Sequence, residues 1–367
     1  MVIGVPKEIK THEYRAGMTP HSVKAYVKNG HTVIIEKGAG VGSGYEDAEY
    51  VSAGGRVIPD RGELFRKAEM IVKVKEPLPQ EYSLLHEGQL LYTYLHLAAN
   101  KELATELLSR KVTGVAYETI ELADGSLPCL TPMSEIAGRL SVQEGAKYLE
   151  KEFGGRGILL GGVPGVQRGT VAILGGGVVG TNACKIAVGI GANVTVLDIN
   201  AKRLAYLDDI FGSSITTLYA TEANIESVLR TSDIVIGAVL VPGETAPRLI
   251  TRQHLSIMQP GAVIVDVAID QGGCAETSKP TTHDNPIYIV DGVVHYCVAN
   301  MPGAVARSST IALTSVTLQY GLAIAGSGLA AAARASQALR RGINTIDGRC
   351  VHAGVARSCG LQYTEFA

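Results

Sequence analysis

One stretch, from Thr170 to Gly180, constrains the fold of this chain more than any other. Apolar and β-branched residues lead up to its first glycine, as in a buried parallel strand, and the small residues after Val178 are typical of a helix packed closely on a sheet. Gly175, Gly177 and Gly180 occupy the positions of a G-x-G-x-x-G turn. In such a turn the first glycine permits the sharp bend, the second admits a pyrophosphate and the third lets the helix approach the strand. The stretch therefore predicts a dinucleotide site at a helix N-terminus.

A chain with 43 glycines also produces this pattern by chance, so the residues that follow it matter. A second apolar strand, Val194–Leu197, ends at Asp198, which lies 18 positions beyond Gly180. A carboxylate there accepts hydrogen bonds from the adenosine ribose hydroxyls and repels a 2′-phosphate, which favours NAD over NADP. Two alternatives remain open: Asp198 is only a solvated carboxylate, or Arg203 meets a phosphate instead of stacking on adenine.

Length and composition indicate a soluble protein of two domains. The 367 residues exceed what one hydrophobic core usually serves, and contents of 46% hydrophobic and 19% charged residues are ordinary for a globular protein. A net charge of −2, no tryptophan and 5% aromatic residues argue against binding to nucleic acid. The apolar run at the N-terminus is too short for a signal peptide, so we expect a cytoplasmic protein.

Two other features have an ordinary explanation. Residues 308–333 carry no charge and are long enough to span a bilayer, but their many small and polar residues favour a helix packed inside a protein. The six cysteines show no C-x-x-C pair, so we expect buried thiols and no metal site.

Strands and helices alternate through most of the chain. Predicted strands lie at 2–5, 31–35, 56–58, 70–74, 90–95, 114–117, 170–174, 194–197, 215–219, 233–241, 262–269 and 287–290. This alternation predicts an α/β protein of two Rossmann-like doubly wound domains with a cleft between them, connected by a long helix over 134–151. The sequence pattern beyond Arg307 predicts two helices and a polar tail, which return to the first domain. The substrate domain is then discontinuous, at 1–130 and 305–367, and the NAD-binding Rossmann domain spans 131–304.

Four residues are candidates for the chemistry, because three lie in turns after predicted strands and one in the loop after the first strand. Arg15 and Lys75 are suited to bind a substrate carboxylate. Surface charge is the commoner role of any single arginine or lysine, and only the loop positions of these two favour a site. His96 can exchange a proton with a carbonyl or imine oxygen, or it is a structural histidine. Asp270 can accept from water or an ammonium group, or it caps a helix.

Several motifs together resemble the alanine dehydrogenase family over almost the whole chain. They are Gly4–Glu8 with Glu13–Arg15, Val74–Pro77, Tyr94–His96, Gly175–Gly180, Asp266–Gly273 and Asn300–Gly303. The resemblance implies that Arg15 and Lys75 hold the carboxylate of pyruvate and that His96 and Asp270 are catalytic. It also implies cofactor contacts, at Ser134, Gly175, Gly177, Val178, Val179, Gly180, Asp198, Arg203, Val239, Leu240, Val267, Ala268, Ile269, Asp270, Val298, Asn300 and Met301. Arg203 stands where relatives often have lysine.

The function that this resemblance implies is reversible, NAD-dependent oxidative deamination of L-alanine to pyruvate and ammonia, by a homo-oligomer that is expected to be a hexamer. Three alternatives remain. One is the nucleotide-binding domain of a transhydrogenase, which needs no carboxylate-binding cations. The others are a saccharopine dehydrogenase, with a larger substrate, and a non-catalytic NAD-binding protein.

Overall fold

The computed structural model describes residues 1–239 and 246–366. Two compact units make up the chain: the first combines Met1–Met133 with Gly303–Ala367, and the second is Ser134–Pro302. In the described part, the strands are β1 (Val2–Val5), β2 (Thr32–Glu36), β3 (Arg56–Ile58), β4 (Met70–Val72), β5 (Leu90–Thr93), β6 (Thr113–Ala116), β7 (Thr170–Leu174), β8 (Asn193–Asp198), β9 (Ile215–Tyr219), β10 (Ile234–Gly237), β11 (Val263–Asp266), β12 (Ile287–Val290), β13 (Val293–Tyr296), β14 (Ile343–Ile346) and β15 (Arg349–Cys350).

The α-helices of the same residues lie between and after these strands along the chain. They are α1 (Pro20–Lys28), α2 (Asp47–Ser52), α3 (Arg61–Lys67), α4 (Pro79–Tyr82), α5 (Lys101–Ser109), α6 (Thr131–Tyr148), α7 (Val178–Ile190), α8 (Ala201–Phe211), α9 (Glu222–Thr231), α10 (Arg252–Leu255), α11 (Ala306–Ser327), α12 (Leu329–Ala335), α13 (Gln337–Gly342) and α14 (Ala353–Cys359). The predicted connecting helix is thus α6, which begins three residues earlier than expected and ends three residues earlier.

The first unit contains a sheet of eight described strands, in the order β15-β14-β6-β5-β4-β1-β2-β3. Strands β1 to β6 are mutually parallel and follow the doubly wound order 3-2-1-4-5-6. Their residues read as continuous apolar runs because helices cover both faces of such a sheet. β4 and β5, for example, are buried along their whole length. Two antiparallel strands, β14 and β15, extend the sheet beyond β6.

The second unit repeats this topology in a sheet of seven described strands, ordered β12-β13-β11-β10-β7-β8-β9. Leaving β12 aside, the strands are parallel and again follow the order 3-2-1-4-5-6. The prediction of two Rossmann-like doubly wound units, one of them discontinuous, is therefore confirmed.

Two predictions about the strands were wrong, and in both regions a β-hairpin was missed. As the last of six predicted strands in a doubly wound unit, the segment at 287–290 would be parallel to the others, but it is the antiparallel edge β12, and β13 is the sixth parallel strand. The described residues beyond Arg307 form two strands and four helices instead of two helices and a tail. In each case an Asp-Gly pair with positive φ makes a two-residue hairpin, Asp291-Gly292 (φ 47° and 82°) and Asp347-Gly348 (φ 49° and 74°).

The uncharged segment at 308–333 is not one continuous helix. α11 ends at Ser327, and Gly328, with φ 78°, separates it from α12. Among the residues that the structure describes, no helix combines the length and the apolar character needed to cross a membrane. All six cysteines lie in this part of the chain, and each is buried as a free thiol.

Candidate active site

The predicted substrate residues of the first unit lie at one edge of its sheet. Arg15 is in the loop after β1, Lys75 follows β4 and His96 follows β5. β5, β4 and β1 are consecutive neighbours in the sheet and are parallel, so their carboxyl ends meet at the same edge. The order of the strands reverses between β1 and β4, which is where ligands bind in open α/β sheets. Three residues far apart in sequence are therefore brought to the same edge of the sheet.

Arg15 is held by a carboxylate from its own loop. Its side chain is 2% exposed. Nε of Arg15 donates to Oε1 of Glu13 at 2.7 Å, and Nη2 donates to Oε2 at 2.6 Å. The backbone N–H of Arg15 donates to the same Glu13 Oε1 at 3.1 Å, and Nη1 contacts Sδ of Met133 at 3.1 Å. Burial by itself lowers the pKa of the guanidinium, but Glu13 more than offsets this, and the net pKa is raised, so Arg15 stays charged.

Lys75 is positioned through its backbone. Oε1 of Glu8 accepts from the N–H groups of Val74 (2.6 Å) and Lys75 (3.3 Å), and Oγ1 of Thr93 donates to the Lys75 carbonyl at 3.1 Å. The other oxygen of Glu8 pairs with Nζ of Lys73 at 3.1 Å, and Lys73 is fully buried. Burial raises the pKa of Glu8, and Lys73 opposes that shift. A buried ion pair thus fixes the turn that presents Lys75.

His96 adopts a backbone conformation that is rare for a residue with a side chain. Its φ is +49°, in the left-handed region. Glu118, which follows β6, holds this turn, because Oε1 accepts from the N–H of His96 at 2.6 Å and both carboxylate oxygens lie 3.2 Å from the N–H of Leu95. The imidazole is exposed and stacks on Tyr94, with ring centroids 5.7 Å apart and planes 8° apart. Tyr94 is itself fixed, since its hydroxyl donates to the Cys129 carbonyl at 2.6 Å.

Sequence reasoning missed the carboxylates that hold these groups. Glu8, Glu13 and Glu118 each contact the backbone or the head group of a predicted site residue. The signal that could have found Glu13 is its position two residues before an arginine in a short loop. Glu118 gave no local signal, because its link to His96 exists only once β5 and β6 are paired.

In the second unit, the glycine turn lies between β7 and α7 as predicted. Gly175 has φ +102°, and a Cβ on it would lie 2.7 Å from the Ala238 carbonyl oxygen at the end of β10. A Cβ on Gly180 would lie 1.8 Å from the carbonyl oxygen of Gly175, so strand and helix pack too closely for any side chain. A Cβ on Gly177 would meet no atom within 4 Å. The space in front of Gly177 is open at the N-terminus of α7, and this turn fits a bound pyrophosphate.

Asp198 and Arg203 both contact the glycine turn. The Asp198 carboxylate, at the end of β8, accepts from the N–H of Gly176 at 2.6 Å and from that of Asn200 at 2.8 Å. Arg203 donates from Nε to the Gly176 carbonyl and from Nη2 to the hydroxyl of Thr181. Its guanidinium carbon also lies 4.6 Å from the ring centroid of Tyr206. Arg203 thus braces the turn, and each Asp198 oxygen retains a lone pair for a ribose hydroxyl.

The remaining predicted cofactor residues lie along the second unit. Ser134 is in α6, Val178 and Val179 open α7, and Val239 follows β10; Leu240 lies outside the described residues. Val267, Ala268, Ile269 and Asp270 form a 3₁₀ turn after β11, and Val298, Asn300 and Met301 follow β13. Buried Asp266 fixes the first of these turns, accepting from the N–H groups of Ala268 (3.1 Å) and Cys274 (2.8 Å). Asp270 is exposed on that turn. Val239, the turn after β11 and the segment after β13 therefore lie at the carboxyl edge of the second sheet, as in other dinucleotide-binding folds.

Two doubly wound units, one carrying a glycine turn with an acidic residue after its second strand, define a two-unit protein of the dinucleotide-binding class. Residues 4–137 match the family model "Alanine dehydrogenase/PNT, N-terminal domain", and residues 141–353 match "Alanine dehydrogenase/PNT, C-terminal domain". The chain belongs to the alanine dehydrogenase/PNT family.

Individual relatives are similar over their full length. The chain is 57% identical to an alanine dehydrogenase of Methanococcus maripaludis, over 99% of this chain and 98% of the relative. It is 55% identical to an alanine dehydrogenase of Bacillus subtilis, over 99% and 96%. A solved L-alanine dehydrogenase matches with a TM-score of 0.95 and 54% identity, covering 98% of this chain and 99% of the other. A transhydrogenase from Sinorhizobium meliloti matches with a TM-score of 0.83 and 25% identity, covering 96% and 99%.

Proposed function

We propose that this protein is an NAD-dependent L-alanine dehydrogenase, which converts L-alanine and water to pyruvate and ammonia and also runs in reverse. One observation carries the proposal: the chain is 52–57% identical over 99–100% of its length to eight proteins named alanine dehydrogenase. The substrate domain is residues 1–130 with 305–367, and the NAD-binding domain is residues 131–304. We place the enzyme in the cytoplasm as a homo-hexamer, which light scattering of the purified protein tests.

In the first unit, Arg15 and Lys75 bind the substrate carboxylate. Arg15 is oriented by Glu13 before substrate arrives, and Lys75 by the turn that Glu8 holds, so little conformational freedom is lost on binding. His96 lies at the same edge of the sheet with an exposed imidazole. It exchanges a proton with the oxygen of the carbinolamine, the adduct that water forms at the substrate Cα after hydride leaves.

In the second unit, the turn from Gly175 to Gly180 and the Asp198 carboxylate hold NAD, and the contact residues described above complete its site. NAD bound there would supply the acceptor for the hydride that leaves the substrate Cα. Asp198 favours NAD over NADP, and Arg203 supports that choice because its guanidinium is engaged with the turn rather than presented to a 2′-phosphate. Asp270 orients the attacking water or the amine, since an exposed carboxylate accepts hydrogen bonds from either.

A single assay tests the proposal: L-alanine-dependent formation of NADH, followed by absorbance with purified protein. We expect turnover with L-alanine and NAD, and at least tenfold lower efficiency with NADP. The transhydrogenase-type alternative is favoured by the fold match to a transhydrogenase. It predicts no response to alanine and hydride exchange between two nucleotides. Nucleotide binding without either reaction would identify a non-catalytic NAD-binding protein.

A further inference from the structure

The carboxylate-binding arginine of this site already holds a carboxylate. Glu13 is buried, and its two oxygens occupy the edge of the Arg15 guanidinium formed by Nε and Nη2. The same carboxylate also accepts the Arg15 backbone N–H. Head group and backbone of one arginine are thus tied to one carboxylate within a three-residue segment.

This arrangement has a geometric and an electrostatic consequence. An incoming carboxylate cannot bind the edge formed by Nε and Nη2, because Glu13 occupies it. It therefore binds at the end of the guanidinium instead of at that edge. In addition, the Arg15–Glu13 pair is neutral as a whole, and it is buried where charges are weakly screened. Removing the Glu13 charge would make the clamp more positive by one unit without adding any cation.

The neighbouring carboxylate, Glu8, does not have this role. It is buried too, but it pairs with Lys73 and binds the backbone of the turn before Lys75. Its charge is compensated within the core. Glu13 is instead in direct contact with the guanidinium that is assigned to the substrate.

We propose that Glu13 is a specificity-determining residue: it sets the charge of the Arg15 clamp so that the site accepts a substrate with one carboxylate and rejects a dianion of the same size. The inference rests on the proposed function, because that function assigns Arg15 to the substrate carboxylate. It goes further in explaining why a site with two cations takes a monoanion.

Oxamate and oxalate test this, because both have the size of pyruvate and they differ by one negative charge. Their dissociation constants are measured by calorimetry on the full-length protein, with and without NADH. The wild type should prefer oxamate, and Glu13→Gln should shift the ratio of the two constants at least tenfold toward oxalate. Glu13→Asp keeps the charge and should leave the ratio within threefold of the wild type. Glu63→Gln, an equal charge change on the exposed face of α3, is the control.

Equal weakening of both anions by Glu13→Gln would mean that Glu13 only orients Arg15, and it would overturn the proposal. Binding of neither anion to the wild type would overturn it as well. If Glu13→Gln does not fold, the double variant Glu13→Gln/Arg15→Lys carries the same charge without needing a bidentate partner, and it should show the same shift.

The two hypotheses fail separately. A shifted ratio in a protein that does not oxidise alanine would support the role of Glu13 and refute the proposed substrate. Alanine turnover with an unchanged ratio would refute the role of Glu13 alone.

Discussion

The two sheets of this protein share one strand order, but the turns at their carboxyl edges are built differently. In the second unit, the turn after β7 depends on the absence of side chains. Gly177 leaves open space in front of the turn, and backbone N–H groups face that space. In the first unit, the turns after β1, β4 and β5 carry two cations and a histidine. Since the parallel strands run in the same order in both, the topology decides where a site lies and the turns decide its chemistry.

The difference also changes what each edge needs for support. The glycine turn is supported by close packing between Gly180 and the Gly175 carbonyl, and by hydrogen bonds between its backbone and the side chains of Asp198 and Arg203. Buried or constrained charged groups need partners, because an unpaired buried charge is strongly destabilising. In the first unit, Glu13 pairs with the guanidinium of Arg15, whereas Glu8 and Glu118 accept from backbone N–H groups of the turns that carry Lys75 and His96. We therefore expect variants at the first edge to change chemistry and variants at the second to change nucleotide binding or folding.

The largest effect is expected at His96. His96→Ala removes the imidazole that moves the proton, and general acid–base catalysis contributes about 10²–10⁴-fold to the rate. kcat for alanine oxidation should fall by about that factor, while the dissociation constant of NADH, measured by fluorescence, changes little. His86→Ala, at an exposed histidine of the same unit, is the control. A His96→Ala enzyme within tenfold of wild-type kcat would remove His96 from its role.

Gly180→Ala and Gly177→Ala test the second edge as a matched pair. The Cβ of Gly180→Ala would overlap the Gly175 carbonyl, so this variant should lose about 3 kcal/mol or more of stability. The Cβ of Gly177→Ala meets no protein atom, and its φ of −64° suits alanine. This variant should melt like the wild type but bind NADH about 10–100-fold more weakly, because the new methyl occupies the space for the pyrophosphate. Equal behaviour of the two variants in thermal melts and NADH titration would contradict the assignment.

The two carboxyl edges also differ in how much of each could be predicted from the sequence. The glycine turn is formed by residues that are close in sequence. Its residues and the neighbouring Asp198 could therefore be recognised from the pattern of strand, turn and helix. The two hairpins at Asp291 and Asp347 were local as well, and the Asp-Gly pairs that mark them were overlooked. Among the partners of the first edge, Glu118 could not be predicted, because it reaches His96 only through the pairing of β5 with β6.

A moderate effect is expected at Arg15. Arg15→Lys keeps the charge but cannot make the bidentate contact with Glu13, so the head group is no longer held in one orientation. KM for pyruvate should rise about 10–100-fold, equivalent to about 1.4–2.8 kcal/mol of lost binding, with a smaller change in kcat. Initial-rate kinetics in the direction of pyruvate amination measure this. Arg66→Lys, on the surface helix α3, is the control, and an unchanged KM in Arg15→Lys would exclude Arg15 from the carboxylate site.

The smallest effect is expected at Glu118, which does not touch substrate but holds the turn of His96. Glu118→Ala leaves the two N–H groups at Leu95 and His96 without their acceptor, so the imidazole is less well placed. kcat should fall about tenfold with KM for pyruvate nearly unchanged, and Glu118→Gln should recover part of the loss, since its one carbonyl oxygen can still accept from His96. Glu121→Ala, which breaks an ion pair with Arg341 and not this turn, is the matched control.

A thermal double-mutant cycle separates a purely structural role of Glu118 from its role in holding the backbone conformation of His96. A φ of +49° is a strained backbone conformation for His96, whereas glycine adopts it without strain. If Glu118 stabilises that conformation, Glu118→Ala should lower Tm less in a His96→Gly background than in the wild type, because glycine adopts the turn unaided. Equal losses of Tm in both backgrounds, together with an unchanged kcat in Glu118→Ala, would show that the first edge does not depend on this carboxylate.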